Sequence, residues 1–265
     1  MRRGKILSNA YIFLILIFLY LPMALVVIYS FNVSKSSAVW TGFTWDWYKQ
    51  MVKDRALIEA LGTSVKVGAL TCVVSAALGT IGAVALQTGK SRAVKVTRGF
   101  VQMPLMIPEI VLGVALLVVF NAIGLKYGIL TLVLAHSTFC IPYVFILVHI
   151  RLRMIDPAIY GAARDLGARR ITVFRTITMP LIAPAVASGM LLAFAMSFDD
   201  VVISFFVAGT RSQTLPPLIY SMVRRGVTPK INALYTIMLL VVFTVVGVMQ
   251  VLSYIWQRDK NERRH

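Results

Sequence analysis

Long uncharged stretches alternate with short polar ones along this chain, six times over. Such runs extend from Ile6 to Ser34, between Lys66 and Lys90, and from Gly99 to Gly124 with Glu109 inside. They resume between Lys126 and Arg151, from Thr178 to Ala208 with Asp199 and Asp200 inside, and from Ile231 to Gln257. A bilayer core about 30 Å thick takes about 20 apolar residues to cross as a helix. Each run is long enough. The pattern predicts an all-α, polytopic membrane protein with one transmembrane domain over 1–265. Its six spans fall at about 8–33, 61–88, 99–124, 127–150, 178–208 and 231–256.

Composition agrees with that reading. Of 265 residues, 58% are hydrophobic and only 14% charged, against about 25% charged in a soluble domain. The net charge of +17 does not mark a nucleic-acid binder, because the basic residues sit in short clusters between spans and form no aromatic-studded basic face. With the N-terminus inside, 17 Lys and Arg fall in cytoplasmic segments and 9 outside, Lys66 lying at the outer edge of the second span. The positive-inside rule then places both termini in the cytoplasm. Arg2, Arg3 and Lys5 resemble the start of a signal peptide, but the run that follows is longer than the 7–15 residues of its apolar core. It reads as an uncleaved first span. Cys72 and Cys140 lie in separate apolar stretches and read as packing residues, and the three histidines have no second ligand nearby to suggest a metal site.

The loops differ in character. The first outer loop, 35–61, holds Trp40, Trp45, Trp47 and Tyr48. These are either interfacial anchors or an aromatic wall at an outer vestibule. The cytoplasmic loop at about 151–177 looks structured. Asp156 before Pro157 suits a helix start, and Gly167 suits its end before a second short helix. The segment 211–230 reads equally as a partner contact or as plain loop. Thr88-Gly89-Lys90-Ser91 echoes the end of a phosphate-binding loop, but Val84 stands where its first glycine belongs and no strand precedes it.

Three carboxylates fall inside spans: Glu109, Asp199 and Asp200. An acid at a helix centre costs about 2.5–3.5 kcal/mol on insertion scales and usually faces a cavity or a partner. One reading neutralises them by protonation or by a neighbouring subunit. The other makes them a cation path, with carboxylates replacing water around a positively charged substrate. Adjacent helical residues point about 100° apart, so Asp199 and Asp200 face one pore only if the helix unwinds there. Ser197 and Ser204 supply neutral hydrogen-bonding groups on nearby faces.

Two motifs carry a family resemblance. Tyr160-Gly161-Ala162-Ala163-Arg164-Asp165-Leu166-Gly167-Ala168, then Phe174 and Met179-Pro180, resembles the cytoplasmic coupling loop of ABC importer permeases, with Gly161 where that family has Glu. By the resemblance, Gly161, Ala162, Ala163, Asp165, Leu166, Gly167, Ala168, Phe174 and Pro180 belong to an element that docks on the ATPase. Met196-Ser197-Phe198-Asp199-Asp200-Val201-Val202 looks like the fifth span of spermidine/putrescine importer permeases. Similar likenesses run through Tyr29-Ser30-Phe31-Asn32, Trp47-Tyr48, Pro108-Glu109-Ile110 and Tyr220-Ser221-Met222-Val223, and resemble the second of that importer's two permeases. The resemblance implies a type I ABC importer permease fold in the bacterial inner membrane and no catalysis by this chain. A polyamine path would include Trp47, Glu109, Ser197, Asp199 and Asp200. It further implies a second, non-identical permease, a periplasmic solute-binding protein, and two ATP-binding subunits that hold ATP and Mg. The alternatives are an ABC permease for another solute and a secondary cation transporter; no internal repeat favours the latter.

Overall fold

The computed structural model describes residues 2–35, 39–87, 89 and 91–262. Thr88 and Lys90 of the phosphate-loop echo lie outside them, as do Arg263 and Arg264 from the charge count. The described residues are overwhelmingly helical. Their elements are α1 (Arg2–Tyr29), α2 (Asp46–Lys53), α3 (Arg55–Ala85), α4 (Arg92–Gln102), α5 (Glu109–Ala122), α6 (Ile129–Arg153), α7 (Pro157–Asp165), α8 (Arg170–Val173), α9 (Met179–Phe198), α10 (Val202–Val207), α11 (Leu215–Arg224) and α12 (Pro229–Glu262). Four of the described helices are long and apolar enough to cross a membrane, or five if one sharply bent pair is a single crossing. The chain divides into two units, one from 1–55 and 221–265, the other from 56–220.

In the first unit, α12 packs against α1 and α2. The exposed stretch of α1 is apolar on every side, with Phe13, Leu14 and Phe18 all uncovered, as suits a helix solvated by lipid. The described part of the outer loop is held by backbone pairing. Phe31 accepts from Thr44 N at 2.7 Å and Val33 donates to Gly42 O at 3.0 Å, with Gly42 at φ 148°, a value that favours glycine. Around this clip, the Phe31 ring stacks on Phe43 and meets Trp45 edge-on. Helix α2 then closes on α12 through an ion pair between Lys230 and Asp54.

The second unit is built around α6, whose Leu132, Ala135, Cys140, Val144, Phe145 and Val148 are fully buried. Small residues let neighbouring helices approach it closely, the usual device where lipid removes the hydrophobic drive between helices. A Cβ at Gly79 of α3 would sit 2.8 Å from Val144 Cβ and 3.0 Å from Phe145 N. Gly79→Ala is therefore expected to cost about 1–3 kcal/mol by overpacking, read as a lower unfolding temperature of the detergent-solubilised protein.

Two expected spans are interrupted. The run at 99–124 is not one helix: α4 and α5 are bent by 107° to one another. Ile107 precedes Pro108 and is extended, at ψ 128°, because proline disfavours the helical region for the residue before it. Helix α5 has 14 residues, about 21 Å at the helical rise. The run at 178–208 likewise breaks, α9 ending at Phe198 and α10 starting at Val202. The segment 211–230 is not loop throughout either, since α11 occupies half of it.

Candidate functional site

The interruption after α9 falls at the paired aspartates. A helix end leaves carbonyls on one side and N–H groups on the other without partners. Asp200 meets the second set: its carboxylate accepts from Ser204 N at 2.6 Å and from Ile203 N at 3.3 Å. Asp200 is buried, so its charge needs a partner. That partner comes from another span. His136 of α6, with no exposed surface, places Nε2 3.3 Å from Asp200 Oδ2. The same nitrogen lies 3.1 Å from Ser204 Oγ, and Nδ1 lies 2.7 Å from Ser197 Oγ. A carboxylate at Nε2 favours the tautomer protonated there, leaving Nδ1 to accept from the Ser197 hydroxyl.

Asp199 is a different residue in every respect. It is exposed, at the C-terminal end of α9, where the helix dipole is already negative. Among the described residues, neither its side chain nor that of Glu109 has a hydrogen-bond or ion-pair partner. Glu109 opens α5, brought there by the bend at Pro108. Glu109, Asp199 and Asp200 line one cavity of about 440 Å³, with Phe139, Ala195, Met196, Val201 and Val202. The unwinding that the sequence required for both aspartates to share a face is present. They do not share a role, however: Asp200 is tied inward while Asp199 is open. A second cavity, of about 490 Å³, is lined by Lys126 and by no carboxylate, and suits a cation poorly.

The other expected path residues sit elsewhere. Ser197 is buried against His136 and does not line the acidic cavity. Trp47 belongs to the first unit, half-buried, with its indole N–H donated to Asn32 O at 2.7 Å. His136 and Ser204 are the residues that sequence reading undervalued. The signal was available, because an ionisable side chain within a span deserves the same question as an acid there.

The cytoplasmic loop folds as its residues dictate. Asp156 accepts from Ala158 N at 2.9 Å and Pro157 follows, starting α7. Gly167, at φ 75°, ends it. Ala168 donates to Ala163 O at 3.0 Å and Gly167 to Arg164 O at 2.8 Å, the paired bonds of a left-handed glycine cap. Phe174 falls in a widened turn, Phe174–Thr178, just before Pro180, which has no N–H to return to the ladder. Arg151 holds the base of the loop, donating from Nε to Leu181 O at 2.9 Å. Ala163 is buried, whereas Leu166 is 88% exposed, with Ile159 and Ile171 also uncovered. Gly161 faces open space. Gly161→Ala should thus stabilise α7 by about 0.5–1 kcal/mol, seen as slower amide exchange across 157–165.

Known proteins resemble this chain over most of its length. The family described as binding-protein-dependent transport system inner membrane component matches residues 75–258. The chain is 39% identical over 247 residues to the spermidine/putrescine transport system permease protein PotC of Haemophilus influenzae, covering 93% of this chain and 96% of that one. It is 43% identical over 254 residues to the putrescine transport system permease protein PotI of Escherichia coli K12, covering 93% and 89%. A solved bacterial ABC transporter that imports the acidic polysaccharide alginate shares the fold, with a TM-score of 0.76 at 15% identity, over 94% of this chain and 96% of that chain. The chain belongs to the binding-protein-dependent transport system inner membrane components, as a membrane-embedded importer permease subunit rather than an enzyme.

Proposed function

We propose that this chain forms one half of the path by which a bacterial ATP-driven importer carries polyamines across the inner membrane. The convergence of Glu109 and Asp199 on one cavity, beside the inward-tied Asp200, carries the reading. A polyamine presents ammonium groups separated by methylenes. It is matched by carboxylates for its charge and by an apolar, aromatic wall for its chain, and Phe139 supplies that wall beside the acids. The names of the relatives point to the same cargo.

The remaining parts of the machine follow from a half-path. A second, non-identical permease completes the conduit. Two ATP-binding subunits hold ATP and Mg and dock against the loop at 151–177, where Ile159, Leu166 and Ile171 offer uncovered apolar surface. A periplasmic binding protein delivers the cargo to the outer loops, among them the one that carries Trp47. Six crossings with both termini in the cytoplasm fit the 17-to-9 partition of basic residues. In this topology α4 and α5 together make the third crossing and α12 the sixth.

Proteoliposomes containing the full complex, loaded with ATP, are expected to accumulate labelled putrescine or spermidine only when the binding protein is present outside. Uptake without ATP, driven by an ion gradient, would instead identify a secondary transporter.

A further inference from the structure

We infer that His136 is a positioning residue for transport: from outside the cavity, it clamps the break between α9 and α10 and so fixes where Asp199 stands opposite Glu109. The inference rests on the proposed path and adds a residue that does not touch it.

The break is three residues long, from Asp199 to Val201. Left alone, a stretch of unwound backbone inside a membrane is costly, since no water satisfies its polar groups. Here both flanks are tied to one side chain. His136 reaches Ser197 on the last turn of α9 through Nδ1, and Ser204 on α10 and Asp200 in the break through Nε2. Asp200 in turn holds the first free N–H groups of α10. The same helix, α6, secures both flanks further out: Thr131 Oγ1 donates to Val207 O at 2.8 Å, and Cys140 Sγ approaches Ala193 O at 3.5 Å. Thr131, His136 and Cys140 thus form a row of attachments along one helix. Between the clamped flanks, Asp199 is the one residue of the break that is exposed, buried neighbours holding Asp200 and half-burial holding Val201.

The arrangement is not a catalytic triad. Ser197 is buried, does not line the cavity, and has no open face for a substrate. Its geometry serves support. The imidazole also lies 5.6 Å, centroid to centroid, from the Phe139 ring that walls the cavity, so the clamp and the wall are one packed body.

The test is amide exchange by mass spectrometry on the purified complex, combined with uptake, for His136→Ala, His136→Gln and Ser197→Ala. Losing the partner of a buried carboxylate should speed exchange at the Ile203 and Ser204 amides by about tenfold, while 140–150 of α6 is unchanged. Uptake per assembled complex should fall with it. His136→Gln, whose amide can still donate to Asp200, should restore most of both. Ser197→Ala, which cuts only the α9 side, should give a smaller loss, and decides the matter if His136→Ala fails to assemble. Unchanged exchange at 203–204 overturns the inference. So does exchange that rises equally throughout α6 and α9, which would mean general loosening, and so does local loosening with normal uptake. A wild-type complex that imports no polyamine sinks the cargo reading alone, because the exchange result is obtained without substrate.

Discussion

Asp199→Asn is expected to lower polyamine uptake by about 100-fold, equivalent to about 2.7 kcal/mol, while the complex assembles in wild-type yield. The size follows from removing a charge-assisted contact with an ammonium group, worth about 1.5–3 kcal/mol. Assembly is spared because the Asp199 side chain is exposed and holds nothing in the fold. Glu109→Gln should act in the same direction, and the pair together more severely, since each leaves the cavity with less counter-charge for a multivalent cation. Initial rates of labelled putrescine uptake in proteoliposomes, normalised to assembled complex, decide this. Normal uptake in the double variant would remove the carboxylates from the path.

Asp200→Ala should fail in a different way. Its carboxylate accepts from Ile203 N and Ser204 N and faces His136. Removing it leaves two buried donors and a buried imidazole without partners, at about 1–3 kcal/mol for each group left unsatisfied. The expected result is a large drop in the yield and unfolding temperature of the complex, with residual uptake falling in proportion to intact protein. The two neighbouring aspartates are thereby separable, one by rate and one by stability. If Asp200→Ala assembled normally and lost only uptake, the assignment of Asp200 as a support would be wrong.

Much of this was legible in the residues, and the failures have physical causes. Asp156-Pro157 and Gly167 marked both ends of α7, because capping chemistry is local and depends on a few adjacent side chains. The need for unwinding at Asp199-Asp200 was also visible, from nothing more than the angle between successive helical residues. What the two acids do was not visible. Adjacent in sequence, they differ only in what three-dimensional packing offers each: His136 lies 64 positions away from Asp200 in the chain. The bend at Pro108 had a local signal in Ile107-Pro108, but the apolar run around it was continuous, and hydropathy counts residues without asking whether the backbone stays straight. Helix α2 was missed for the opposite reason, since a short amphipathic helix among tryptophans reads as an interfacial loop. Gly161, the one departure from the coupling pattern, faces open space, so the space for the absent carboxylate's side chain is there.

Carboxylates in the acidic cavity meet the ammonium groups of the cargo in the proposed path. The most direct measurement is a structure of the assembled importer trapped with a polyamine between its two permeases. Amine nitrogens within about 3 Å of the Asp199 and Glu109 carboxylates, with the chain of methylenes against Phe139, are the predicted result. A conduit that passes the cargo elsewhere, with Glu109 and Asp199 turned to lipid or to the partner permease, would contradict it.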